Sequence, residues 1–191
     1  MRGLPCHLTV ISAVDYGRYL DMTNIKLHKG DITTAIVDAI VNAANPKMLG
    51  GGGVDGAIHK AAGPRLLEAC RKVKGINGIR CPFGEARITE AGDLPVKYVI
   101  HAVGPRYERE QEPEKVLVSA YRMALELALE NGCVSIAFPA LSCGAYGYPL
   151  DKAAEIAVRV CSDARYENMQ VHFFLFTQEL YDLWLHEVKN V

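Results

Sequence analysis

Residues 42–64, reading NAANPKMLGGGGVDGAIHKAAGP, decide how the rest of the chain is understood. The stretch follows an apolar run, Ala39-Ile40-Val41, that reads as a buried strand. Four consecutive glycines, Gly50, Gly51, Gly52 and Gly53, then lead into a helical pattern near Val54. Glycines at a strand-to-helix junction let the backbone come close to a ligand, because no Cβ is in the way. Their N–H groups, with the positive end of the following helix, form a concavity that suits an anion. A glycine run alone reads equally well as a surface loop. Here Asn42, Asn45, Asp55 and His59 flank it, and that combination points to a phosphate-containing ligand.

Asp55 and His59 are four apart and share one face of a helix. On its own, Asp55 reads as a first-turn residue that favours the helix dipole, or as a cap. Asn45 ends the strand side of the loop while Asp55 opens the helix side, so both can line one mouth. A carboxylate facing a carboxamide beside a phosphate cradle can hold a sugar hydroxyl and orient a water. His59 and His101 read as structural histidines.

Outward from this stretch, strand-like and helix-like patterns alternate. Strands are predicted at 25–28, 39–42, 86–91, 97–103, 134–138 and 171–176, and helices at 55–62, 113–130, 151–163 and 178–188. Gly63-Pro64 punctuates the first helix, and a second apolar stripe follows on Leu66, Leu67, Cys70 and Val73. Residues 75–84 read as a loop. The alternation predicts an α/β fold, with a mixed, mostly parallel sheet between helices on both faces. Residues 25–191 form one domain in this reading. Residues 1–24 precede it as an N-terminal extension, either an added edge strand or a loosely attached segment.

The 191 residues carry a net charge of −1, with 50% hydrophobic and 23% charged residues. That balance gives no general attraction to nucleic acid or to an anionic membrane, so an anionic ligand has to be held locally, by loop amides. The six cysteines form no C-x-x-C pair, and most sit in apolar patterns that suit buried, reduced thiols. No metal site is expected. Only Arg2 precedes the apolar segment 8–14 as a basic residue, and no cleavage pattern follows. A cytoplasmic monomer with no membrane segment is expected.

In such a sheet, ligands bind at the carboxyl ends of the strands. That rule gathers Asp31, Asn45 with its glycine loop, Gly104 and the 142–146 loop at one edge. The same motifs, GDIT at 30–33, the 42–64 stretch, HAVGP at 101–105 and PALSCGAYGYP at 139–149, resemble the macrodomain family, the ADP-ribose-binding α/β fold, and within it the MacroD-type hydrolases. The resemblance spans about 160 residues, nearly everything after Asn24.

The resemblance implies a three-layer α/β/α domain that takes ADP-ribose. Asp31, with the Ile32 amide, is then expected to accept the exocyclic amine of adenine, and Phe176 to lie beside the base. As a bare strand phenylalanine, Phe176 would instead be core. Gly51, Gly52, Gly53, Val54 and Asp55 on one loop, and Ser142, Cys143, Gly144, Ala145 and Tyr146 on the other, are expected to hold the diphosphate and distal ribose. Cys143 and Ala145 depart from the residues common in the family, and backbone contacts would tolerate both. A Cys143 thiol beside the ligand would be a possible oxidation point.

The implied reaction is hydrolysis at the distal ribose, with Asn45 and Asp55 as catalytic residues. Its substrates would be O-acetyl-ADP-ribose and proteins mono-ADP-ribosylated on acidic side chains, with no cofactor. A non-catalytic reader of ADP-ribose shares the cleft but has no need of Asp55. An RNA-binding module would want a basic stripe with aromatics, which is lacking here.

Overall fold

The computed structural model describes residues 24–191. Apart from Asn24, the expected extension at 1–24 lies outside the described residues. Six strands alternate with four α-helices: β1 (Ile25–Lys29), β2 (Ala39–Ala43), α1 (Gly53–Lys72), β3 (Ala86–Glu90), β4 (Tyr98–Ala102), α2 (Pro113–Glu130), β5 (Ser135–Phe138), α3 (Leu150–Cys161), β6 (Gln170–Leu175) and α4 (Gln178–Val188). Each lies within a few residues of its predicted place, except that α1 joins the predicted helix at 55–62 to the second apolar stripe after Pro64. The sheet order is β1-β6-β5-β2-β4-β3. Every pair is parallel except β3–β4, which is antiparallel.

The central strands are apolar on both sides because both faces are covered. Val41, Ile100, Ile136 and Phe173 point into one core with α2, α3 and α4, where Leu117, Tyr121, Ile156 and Trp184 are fully or almost fully buried. Ile40, Val99 and Ala137 point the other way, to Ile58, Ala62 and Leu66 of α1. The result is three layers, with three helices on one face and α1 on the other.

The Gly63-Pro64 punctuation is a kink inside α1. Gly63 takes φ 66°, a left-handed conformation that glycine adopts freely, and Pro64 starts the second segment. The Ala62 carbonyl, released by the kink, accepts from the Asp93 N–H at 2.9 Å. The turn after β3 therefore fixes the end of the short segment that carries Asp55.

Residues 75–84, expected as a loop, contain a two-residue hairpin. Ile76 and Ile79 exchange backbone hydrogen bonds of 2.9 and 3.0 Å around Asn77 and Gly78, which both have positive φ. Asn-Gly is the preferred dipeptide for a type I′ turn.

The 139–149 loop is braced from beneath by α2. The Tyr121 hydroxyl, fully buried, accepts from the Leu141 N–H at 3.3 Å. Tyr121→Phe should leave that N–H without a partner and lower the unfolding free energy by about 1 kcal/mol, read by urea denaturation. An unchanged midpoint would mean that the loop does not depend on this brace.

Candidate functional site

The carboxyl ends of β1, β6, β5 and β2 lie side by side, and the predicted site residues fall along that edge in the same order. Asp31 follows β1, Phe176 follows β6, the 139–149 loop follows β5, and Asn45 follows β2. One cavity of about 360 Å³ brings together Asn45, Gly51, Gly52, Gly53, Val54, Asp55, Ser142, Gly144, Ala145 and Tyr146, with Gly104 between the two loops. A larger groove of about 740 Å³ over Tyr107, Tyr148 and the start of α2 holds none of the predicted residues.

Asp55 is 4% exposed in the first turn of α1, but it is not a cap. Gly52 occupies the cap position, and no side chain caps the helix. The Asp55 carboxylate is held from the sheet instead. Asn42 Nδ2 donates to its Oδ1 at 2.6 Å, and Asn45 Nδ2 reaches its Oδ2 at 3.4 Å. Burial pushes the Asp55 carboxyl above the usual range, while the Asn42 hydrogen bond and His59 pull it back down. His59 Nε2 stands 3.5 Å from Oδ1, too far for a good hydrogen bond, and this buried nitrogen has no hydrogen-bond partner.

In the sequence Asn42 is only a flank of the loop; in the structure it supports Asp55. Its amide also lies 3.2 Å from His101 Nδ1, and His101 Nε2 lies 2.9 Å from Thr89 Oγ1. With Asp55 ionised, the Asn42 amide has to turn its N–H groups toward both neighbours. His101 Nδ1 then accepts, and Nε2–H donates to Thr89. Burial drives His101 down to about 3, so the ring is neutral. His101 is thus a satisfied buried histidine, as expected, with the added part of aligning Asn42.

Asn45 is partly committed to its own loop. Its Nδ2 donates to the Gly50 carbonyl at 3.0 Å, and its Oδ1 accepts from the Lys47 N–H at 3.0 Å. Glycine is required at 51 because a Cβ there would sit 2.7 Å from Asp55 Oδ2. The N–H groups of Gly53, Val54 and Asp55, which open α1 and line the cavity, have no acceptor among the described residues, while Gly56 N–H already bonds to the Gly52 carbonyl. In the opposite loop, the N–H groups of Cys143, Gly147 and Tyr148 turn to loop carbonyls. Those of Gly144, Ala145 and Tyr146 have no protein acceptor among the described residues. Ser142 sits at φ 64° with its Oγ buried and without a partner, a strained placement of the kind that collects at binding sites. Two sets of unpaired donors face one cavity, with a carboxylate at the end where Asn45 lies.

Four predicted residues stand outside that cavity. Asp31 Oδ1 accepts from the Thr33 N–H at 2.9 Å, capping a short 3-10 turn, and its second oxygen has no hydrogen-bond partner among the described residues; Ile32 beside it is buried. Phe176 is 78% exposed rather than core, because β6 ends one residue earlier. It joins Asp31 at the edge, where Gly30 N–H donates to Leu175 O and ties β1 to β6. Cys143 corrects an expectation: its thiol points back to the Leu141 carbonyl, 3.5 Å away, and burial pushes it up to about 12, so it is a poor oxidation point.

Under Asp55, ligand atoms of His59, Cys70 and His101 lie within 4.8 Å of one another. Binding a cation there would require His101 Nε2 to leave Thr89. It would also require Cys70, pushed up to about 11 by burial, to lose its proton. As drawn, the three serve as packing beneath the carboxylate.

The family profile described as Macro domain matches residues 41–157. A macro domain-containing protein of Vibrio parahaemolyticus is 60% identical over 169 residues, covering 88% of this chain and 99% of its own. An O-acetyl-ADP-ribose deacetylase of Escherichia coli K12 is 52% identical over 161 residues, covering 82% of this chain and 90% of its own. The macrodomain of Oceanobacillus iheyensis, solved with ADP, superposes with a TM-score of 0.82 at 42% identity, covering 87% of this chain and 90% of that one.

The depressed His101 has a measurable consequence. Unfolded, it titrates near 6.5; folded, near 3. Between those values the unfolded chain binds the extra proton, so stability falls as pH drops below 6.5, by about 1.4 kcal/mol per unit from this residue. The ring resonances of His101 should stay those of the neutral Nε2–H tautomer down to about pH 5, well below the usual histidine range. A titration near 6.5 would remove the neutral ring from the support of Asn42.

Proposed function

The chain belongs to the macro domain family, and we propose that it is a hydrolase of ADP-ribose esters, releasing acetate from O-acetyl-ADP-ribose and ADP-ribose from acidic side chains of proteins. The working unit in this reading is the domain at 25–191. One observation carries the proposal: a buried carboxylate, held by Asn42 and Asn45, at the point where two rows of unpaired amides meet. A module that only bound ADP-ribose would gain nothing from a buried charge there, which costs stability.

The ligand lies along the carboxyl edge of the sheet. Adenine sits against Phe176, its exocyclic amine donating to the free oxygen of Asp31. A 6-oxo purine would offer an acceptor to that carboxylate and be rejected. The diphosphate takes the N–H groups at the start of α1 and those of Gly144, Ala145 and Tyr146, helped by the helix dipole. The distal ribose then reaches Asn45 and Asp55.

Asp55 accepts a hydrogen bond from a water and aims its oxygen at the ester carbonyl. As that bond forms, the carboxylate takes up the water's proton; the ester bond then breaks, and Asp55 returns that proton to the departing ribose oxygen, freeing the acid and the ribose hydroxyl. A carboxylate is a weak base, and burial strengthens it. Much of the rate comes from position, since the loops fix the substrate against a held water. The described cysteines are all free thiols, which supports a reducing, cytoplasmic setting. Among the described residues no helix is long and apolar enough to cross a membrane.

Asp55→Ala should lower turnover of O-acetyl-ADP-ribose by about 100-fold or more and leave ADP-ribose affinity within roughly tenfold. Asn45→Ala should lose both turnover and binding. Wild type that binds ADP-ribose by calorimetry yet hydrolyses neither ester would decide for the non-catalytic reader. Asp31→Ala should weaken ADP-ribose by about 1–3 kcal/mol; an unchanged affinity would place the base elsewhere.

A further inference from the structure

Outside the cavity, on the far side of Asn45 and Tyr146, the surface forms a second groove of about 660 Å³, lined in part by Lys47, Leu49, Ile79 and Arg106. Asn45 and Tyr146 line both spaces, so the groove is the direct outward continuation of the end of the cavity that holds Asp55.

Its walls are rigid and of unusual composition. The Asn77-Gly78 turn presents Ile76, 81% exposed, and Ile79, 47% exposed. That turn is fastened to the Asn45 loop by three bonds: Arg80 N–H and Cys81 N–H donate to Pro46 O at 2.8 and 3.2 Å, and Arg80 Nη1 donates to Lys47 O at 3.1 Å. Leu49 adds a third exposed aliphatic side chain. Opposite, Arg106 stacks on Tyr146 with its Cζ 5.4 Å from the ring centre, and on Phe83 at 5.8 Å. Lys47 and Arg106, which line the groove, make no ion pair with any carboxylate among the described residues. On a chain with net charge −1, these two cations form a local basic rim.

An acetyl group held at Asp55 has no use for such a groove. We propose that it docks the polypeptide that carries the ADP-ribose, binding a segment with carboxylates flanking the modified acidic residue and an aliphatic side chain against Leu49 and Ile79. The inference rests on the ester-hydrolase reading, and it names the part of the substrate beyond the ribose. Rim cations attract the flanking carboxylates and set the choice of partner, while exposed aliphatic side chains on a fixed turn give an apolar contact of the kind that marks interaction surfaces. A nucleic acid would match the cations but not the isoleucines.

The test compares three substrates: O-acetyl-ADP-ribose, a glutamate-linked ADP-ribosyl peptide with flanking acidic residues, and the same peptide with flanking lysines. Wild type should prefer the acidic peptide by about tenfold in kcat/KM, and the preference should shrink as salt rises. Lys47→Glu and Ile79→Asp should each lower kcat/KM on the acidic peptide about fivefold to tenfold, and leave O-acetyl-ADP-ribose within about twofold. Equal losses on both substrates, or none on either, would overturn the groove. So would faster turnover of an ADP-ribosylated oligonucleotide than of the acidic peptide. Concentration-dependent mass in sedimentation, abolished by Ile79→Asp, would assign the patch to a second copy of this chain and overturn it too. Wild type active on O-acetyl-ADP-ribose but indifferent to peptide sequence removes the groove alone; wild type inactive on every ester removes the hydrolase reading itself.

Discussion

A carboxylate taken out of water has to be held by donors, or it takes up a proton. Asp55 is nearly inaccessible, and the 2.6 Å hydrogen bond from Asn42 is what keeps its charged form in place. The supporting residues come from four elements. Thr89 lies on β3, His101 on β4, Asn42 on β2 and Asp55 on α1, so a polar row runs across three strands into the helix. The pairing of Asn42 with His101 fixes that row, and a one-residue slip of β2 would turn Asn42 to the opposite face, away from His101. The Gly63 kink and the Ala62–Asp93 hydrogen bond hold the other end of the segment that carries Asp55.

Charge is divided by function. The anionic diphosphate is proposed to meet backbone N–H groups and a helix terminus, which donate without adding a mobile cation beside Asp55. The cations stay outside, on the rim at Lys47 and Arg106. A lysine in the cavity would pair with Asp55, lower its basicity and hold it away from a water. Keeping the interior free of cations leaves the carboxylate basic and leaves the rim available for a polypeptide.

The layered fold was legible in the sequence because strand and helix periods alternate cleanly and the central strands are mostly apolar, Asn42 and His101 excepted. Asn45 and Asp55 were legible as a pair because they bracket one short loop. Asn42 was not, since an asparagine at the end of a strand reads as a flank until the register sets it opposite His101, 59 residues away. Phe176 carries the same letters whether the strand ends before it or after it, and its exposure depends on that single residue. The 76–79 hairpin was signalled by Asn-Gly, yet the strands it joins shrink to one bridging pair, too short to show a period. The high thiol pKa of Cys143 rests on burial of its side chain, which turns back toward the Leu141 carbonyl, and the spacing of small residues does not reveal that turn.

The central claim is that ionised Asp55, held by Asn42, orients the attacking water. Its most direct test is the pH dependence of kcat for O-acetyl-ADP-ribose in wild type and in Asn42→Ala. Wild type should lose activity toward acid as Asp55 protonates, with a midpoint above that of an ordinary carboxylate, because burial raises it. Removing the Asn42 donor should move that midpoint to higher pH, since the hydrogen bond it supplied favours the charged form. An acid limb that stays in place in Asn42→Ala, whatever happens to the maximal rate, would contradict the account.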